Sequence, residues 1–499
     1  MAILGELNLH PNYVSEILDK AIEMSDNISF NDLPSFCYYV LLDSRHCSDS
    51  TEIFTHILLS MTHFEEENRD KSKIKPVLGT ILMHLTLAVR QDANLMKQVL
   101  KLARTPPLRL LHSIFFASFL LALSASPPYS DSIYPCLRNH LVRHLKFNDR
   151  ASHALWIDKL ADSVGGVLPI TSVLLLAAKQ GYADSVVESS VNFAFYMLDA
   201  LTSGLSVSAV ASRACQHANS LIILAFQSSE IAQEPILSLL FERLLSNGSS
   251  TSRGYYLLDV VKQLVVKGPH FLMKHSAKLR QLIDFLPSLP VETAESIIKT
   301  LMILFRVNLS LRDCLLLLLR KLLFSRRIEH RQLAAKGYIQ FLLNFKVVGG
   351  MANTQPSQSS FTASQVNVVG EVGRSVGDKI ANPNSRTGND ALCLEILGIL
   401  KRCLEQQADV RRIVYKSLPE VLHKNSQLVD PVLQLLAIHL RDFSVDFSGN
   451  TTDSYVNDDA SSSQLSRDGD LPILFSKCVK KSEIVEPIVC LCYFFVFFH

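Results

Sequence analysis

The chain has 499 residues, 48% of them hydrophobic and only 19% charged, with a mean hydropathy of +0.20. That length exceeds one compact core, and the apolar composition excludes general disorder. Lys and Arg number 49 against 47 Asp and Glu, a net charge of +2, so any nucleic-acid contact must be a local patch and not a global basic field.

Read from the start, the residues MAILGELNLHPNY contain no basic n-region ahead of a long apolar core, and no signal peptide is expected. Helical periodicity then dominates. Segments near Tyr13–Met24, Glu52–Phe64, Ile74–Arg90, Ser130–Leu145, Val186–Leu201, Val207–Phe226 and Tyr256–Val266 are predicted helices. Leu110 to Ala125 is the longest internal apolar stretch, but it carries His112 and is shorter than the ~20 residues a membrane span needs. His112 therefore reads as a core or boundary histidine, and Trp156, the only tryptophan, as packing. The ten cysteines include no CxxC pair and read as reduced, buried small hydrophobes.

Further along, Val291, Ala294, Ile298, Leu301 and Phe305 share one helix face, with Pro290, Glu292 and Glu295 suited to its first turns. Ser310 and Asp313 approximate a capping box ahead of a run of five leucines. Helices joined by short Pro, Gly, Ser or Asn breaks, in pairs of roughly forty residues, predict an all-α fold, an α-solenoid of antiparallel helix pairs of the HEAT or armadillo kind. An irregular helical bundle is the alternative architecture. The expected organisation is a helical solenoid over 1–348, a flexible Ser/Thr-Gln-rich loop over 349–390, a solenoid continuation over 391–445, a disordered linker over 446–470 and an apolar tail over 471–499. The tail is broken by Glu486 and Pro487, so no membrane association is expected.

No phosphate-binding GxxxxGK[ST] loop, HExxH, GxSxG or strand-to-helix GxGxxG occurs, and the 16 histidines show no metal-ligand spacing. The chain is therefore expected to be no enzyme, with no cofactor and no metal. Two features stand out instead. Of five Ser/Thr-Gln dipeptides, three begin at Thr354, Ser357 and Ser364 inside the polar loop. Ser/Thr-Gln is the minimal target of the DNA-damage checkpoint kinases, and each phosphate would add about −1.5 to −2 charges; a polar linker merely rich in these residues is the competing reading. Lys321 follows the leucine run, with Leu317 and Leu318 four and three positions before it, so its stem is expected beside buried leucines. Arg326, Arg327 and Arg331 follow as a candidate phosphate-contacting patch, against the commoner reading of a solvated loop between helices.

The stretches RDCLLLLLRKLLF (Arg312–Phe324), LLNFKVVG (Leu342–Gly349), CLEIL (Cys393–Leu397), RCLEQQADVR (Arg402–Arg411) and KNSQL (Lys424–Leu428), with the three Ser/Thr-Gln sites in order between them, closely resemble the Fanconi anaemia group I family. The resemblance implies an α-solenoid scaffold of DNA interstrand crosslink repair, pairing with its group D paralogue as a heterodimer on branched or duplex DNA in the nucleus. It further implies that Lys321 receives a single ubiquitin from the pathway's ubiquitin-conjugating enzyme and ligase, near the heterodimer interface. Thr354, Ser357 and Ser364 correspond to the checkpoint-kinase cluster that promotes this step, with Thr354 in place of a serine and Ser364 offset by one residue. The family's proteins are much longer, and the ending CLCYFFVFFH departs from their pattern, so a truncated or alternatively spliced form is expected. A solenoid transport adaptor that binds peptides in a concave groove is the rival function. It accounts for the helices but not for the ordered motifs.

Overall fold

The structure is a computed structural model describing residues 10–24, 28–29, 31–44, 50–67, 71–152, 169–202, 208–246, 251–346, 386–437 and 439. Every regular element among them is helical, and the chain divides into two compact units, Met1–Phe271 and Leu272–His499.

The first unit contains α1 (Pro11–Glu23), α2 (Leu33–Asp43), α3 (Ser50–Glu67), α4 (Lys71–Gln91), α5 (Ala93–Arg104), α6 (Ile114–Leu123), α7 (Pro127–Ser152), α8 (Ile170–Gln180), α9 (Asp184–Leu201), α10 (Ala209–Ser228), α11 (Glu230–Ser246) and α12 (Thr251–Lys267). The long apolar stretch noted at Leu110–Ala125 is not one helix. A single turn, Leu108–Leu111, stops at His112, and α6 restarts behind Ser113, whose hydroxyl accepts the Phe116 amide at 3.1 Å. All ten residues of α6 are buried, because α3, α4, α8 and α9 pack around it. A helix apolar on every side is thus a central core element and needs no lipid. No helix among the described residues is long and apolar enough to cross a membrane.

The Glu65 carboxylate ties three elements around that core. It accepts the Phe115 amide at 2.9 Å with one oxygen and the Tyr182 hydroxyl with the other. Gly181 closes α8 in the left-handed conformation at φ 50°, the usual place for glycine at a helix C-terminus, and so turns Tyr182 back toward α3.

On α10, His217 is buried with Nε2 unpaired. Burial, and secondarily the charge of His144, push its pKa down from 6.5 to about 4. The unfolded chain therefore binds a proton between pH 6.5 and 4 that the folded chain refuses. Stability conferred by the neutral imidazole is complete above pH 6.5 and is lost as pH falls toward 4. His217→Gln is expected to flatten the melting temperature between these limits relative to the parent, read by thermal unfolding at stepped pH. Identical slopes for the two proteins would exclude His217 as the source.

The second unit contains α13 (Ser276–Phe285), α14 (Val291–Val307), α15 (Leu309–Leu323), α16 (Ile328–Asn344), α17 (Arg386–Leu404) and α18 (Ala408–Lys424). Successive helices pack in an overlapping series: α13 on α15, α14 on α15 and α16, α15 on α16, and α16 on α17 and α18. That pattern of stacked hairpins is an all-α solenoid. The face anticipated on α14 is the buried one, with Ala294, Ile298, Leu301 and Phe305 all inside and Pro290 at the cap. The cap of α15 differs from the sequence reading. Asn308 holds it, accepting the Leu311 amide at 3.1 Å, while Ser310 instead accepts the Arg280 guanidinium at 2.6 Å. Asn308 closes α14 and opens α15 at once, a sharper turn than a cap at Ser310 would allow.

Of the six described cysteines, Cys37, Cys136, Cys215, Cys393 and Cys403 are buried and Cys314 is half-buried, none in a disulfide. Burial raises the thiols of Cys37, Cys393 and Cys403 to about 12 and that of Cys215 to about 11, which leaves them protonated and inert at neutral pH.

Candidate functional site around Lys321

Lys321 lies in the last turn of α15. The five-leucine run divides by helical geometry: Leu315 and Leu319 point inward with Leu311, Leu322 and Leu323, whereas Leu317 does not. Leu317 is 56% exposed, Leu318 is half-buried, and Phe324 is 75% exposed. The lysine expected beside buried leucines thus sits on an open face, flanked at i−4 and i+3 by exposed apolar side chains. Two turns below it, the Cys314 thiol is raised by burial and by Asp284, with Arg280 and Lys321 opposing.

The helix bearing Lys321 is held closely from behind. A methyl group on Gly337 of α16 would stand 2.7 Å from Leu319 Cδ2, so the Leu319 side chain packs directly over the glycine and would have to shift to admit one. Tyr338 beside it is fully buried with its hydroxyl unpaired. Burial raises that hydroxyl's pKa, with Arg320 opposing and Cys403 and Glu395 adding.

Of the arginines after α15, Arg326 and Arg327 are exposed and Arg331 is half-buried. Arg331 Nη2 donates to Gln407 Oε1 at 2.8 Å, so it serves the link between α16 and α18 and is only partly available to a phosphate. Thr354, Ser357 and Ser364 lie outside the described residues, as do Trp156 and the stretches 446–470 and 471–499. The described chain resumes with α17 at Arg386, inside the stretch 349–390.

Three residues near Lys321 went unnoticed in the sequence. Glu395 of α17 forms an ion pair with Arg320. Gln406, between α17 and α18, donates to the Leu323 carbonyl at 3.5 Å, and Gln407 receives Arg331. Glu395 sits within CLEIL, and the two glutamines sit within RCLEQQADVR. Nothing local marks them, because their partners lie more than seventy positions away in the chain.

Elsewhere, an open groove of about 390 Å³ between α3 and α5 carries Glu52, His56 and Lys101. Among the described residues no group of three His, Cys, Asp or Glu could hold a metal ion. The stacked helices place the chain in the α-solenoid class. Two domain families match it: FANCI solenoid 2 over residues 186–339 and FANCI helical domain 2 over residues 354–448. The similarity is therefore to the Fanconi anaemia group I family, through these two domains and through full-length relatives. It is 26% identical over 461 residues to the Fanconi anemia group I protein of Gallus gallus, covering 86% of this chain and 33% of that protein. To the Fanconi anemia group I protein homolog of Mus musculus it is 25% identical over 472 residues, covering 89% of this chain and 34% of that protein. The chain therefore spans about a third of the length of the relatives it matches.

Proposed function

We propose that this chain acts as a non-enzymatic scaffold of the Fanconi anaemia pathway of DNA repair. It pairs with the group D paralogue on duplex or branched DNA in the nucleus, and it is regulated through Lys321 and the Ser/Thr-Gln sites. The observation that carries the reading is the position of Lys321 within the family match: a primary amine on an open face at a helix end, backed by the packing of Leu319 over Gly337. A ubiquitin ligase needs an accessible amine on a fixed support, and this end of α15 offers both. Thr354, Ser357 and Ser364 are the sites a checkpoint kinase phosphorylates, and Arg326 and Arg327 are phosphate contacts.

Binding to duplex DNA measured against salt tests the scaffold reading. The affinity is expected to fall linearly on a log–log plot, because each phosphate contact releases counterions. Arg326→Gln with Arg327→Gln is expected to reduce that slope by about 2, at roughly 0.9 per contact on duplex DNA. An unchanged slope would remove these two arginines from the DNA contact. Absence of any salt-dependent binding by the chain with its paralogue would favour the peptide-binding adaptor.

A further inference from the structure

The geometry points to α17 as a strap that fixes the last turn of α15, with Glu395 as the positioning residue that sets how Lys321 is presented. The inference rests on the assignment of Lys321 as a modification site, and it adds residues that neither the sequence motifs nor the family match assigns to it.

A helix end leaves its last carbonyls without partners, and it frays unless they are satisfied. The end of α15 is satisfied in two ways. Locally, the Phe324 amide bonds the Lys321 carbonyl at 3.3 Å and the Ser325 amide bonds the Leu322 carbonyl at 3.0 Å. The Leu323 carbonyl is met from outside by Gln406. Arg320, the residue before Lys321, is anchored to Glu395. Arg331 and Gln407 separately link α16 to the start of α18. The body of α17 packs on α16 and α18, so its hold on α15 is made by the Glu395 and Gln406 side chains. Such a hold is directional, because it fixes the rotation of the turn and hence the side on which the amine emerges.

The base of the strap is itself pinned. Cys393 Sγ donates to the Phe345 carbonyl at 3.5 Å, and Asn425 Nδ2 donates to the same oxygen at 3.1 Å. Cys393 and Glu395 are two positions apart on α17, little more than half a turn of helix. A rotation of α17 therefore cannot leave the Arg320 contact unchanged.

The Arg320–Glu395 side chains are 43% and 50% exposed, so the pair is expected to alter local opening only modestly, by about two- to fivefold. Hydrogen exchange reads that opening directly. In the whole chain, Glu395→Arg and Arg320→Glu are each expected to speed exchange of the amides at 322–325 by about two- to fivefold. The charge-swapped double variant is expected to return the rate to that of the parent. Gln in place of Glu395 should give an intermediate rate. In parallel, ubiquitin conjugation at Lys321 with the pathway's conjugating enzyme and ligase should fall in both single variants and recover in the swap. Recovery separates a specific pairing from a general loss of structure. Unchanged exchange in the single variants, or no recovery in the swap, would overturn the strap. A normal exchange pattern with no conjugate on the parent protein would overturn the Lys321 assignment instead.

Discussion

Lys321→Arg is expected to abolish the single ubiquitin conjugate while leaving the fold intact. Isopeptide bond formation needs a primary amine that attacks the thioester carbonyl, gives up a proton and displaces the thiol. A guanidinium stays protonated at any working pH and cannot take that role, although it keeps the charge. The side chain at 321 is exposed, and substitutions at such positions usually change stability by no more than about 0.5 kcal/mol. Loss of the conjugate would therefore report chemistry and not unfolding. Lys336 is a useful control, since it is partly buried and paired with Glu295 at 2.7 Å; Lys336→Arg should leave the conjugate in place. The measurement is the fraction of chain shifted by one ubiquitin, with the linked residue identified by mass spectrometry of the digested product. An unchanged fraction on Lys321→Arg would show that another lysine is the acceptor.

Much of the solenoid could be read directly from periodicity, and the reasons differ from element to element. α14 was legible because its apolar residues recur on one face and a proline marks its start. α10 was legible from its helical period, and in the structure Ser208 caps it. α6 was not, since ten successive buried residues carry no period at all; only the helices packed around it explain why it is so apolar. The leucine run of α15 misled for a related reason. Five leucines in sequence cannot all face inward on a helix, and the pattern alone did not say that Leu317 and Phe324 stay outside. The site was half legible. Lys321, Arg326 and Arg327 were named from the chain itself or from resemblance, whereas Glu395, Gln406 and Gly337 matter only through residues far away in sequence. Positive hydropathy is explained by helices such as α6 that neighbours enclose on every side.

Gly79→Ala is expected to be the most destabilising glycine-to-alanine change among the described glycines of the first unit, and it runs against helix propensity. Gly79 lies inside α4, where alanine is intrinsically favoured by about 1 kcal/mol. The added carbon, however, would stand 2.5 Å from the Tyr182 carbonyl oxygen and 3.6 Å from its carbon. The obstacle is backbone, so no side-chain rotation relieves it. Nor can Tyr182 retreat freely, because its hydroxyl is bonded to Glu65 and its ring packs edge-on against Phe115 at 6.4 Å. Overpacking of this kind costs about 1–3 kcal/mol. Breaking a hydrogen bond to a carboxylate costs about 1.5–3 kcal/mol more. Either term exceeds or matches the propensity gain, and together they decide the sign: a net loss of about 2–4 kcal/mol, visible as a lower urea midpoint. Gly254→Ala provides the contrast, since that glycine also lies in a helix but has no atom within 4 Å of the new carbon. It should gain up to about 1 kcal/mol. If both substitutions stabilised the protein alike, the close approach of α4 to the Tyr182 backbone would be refuted.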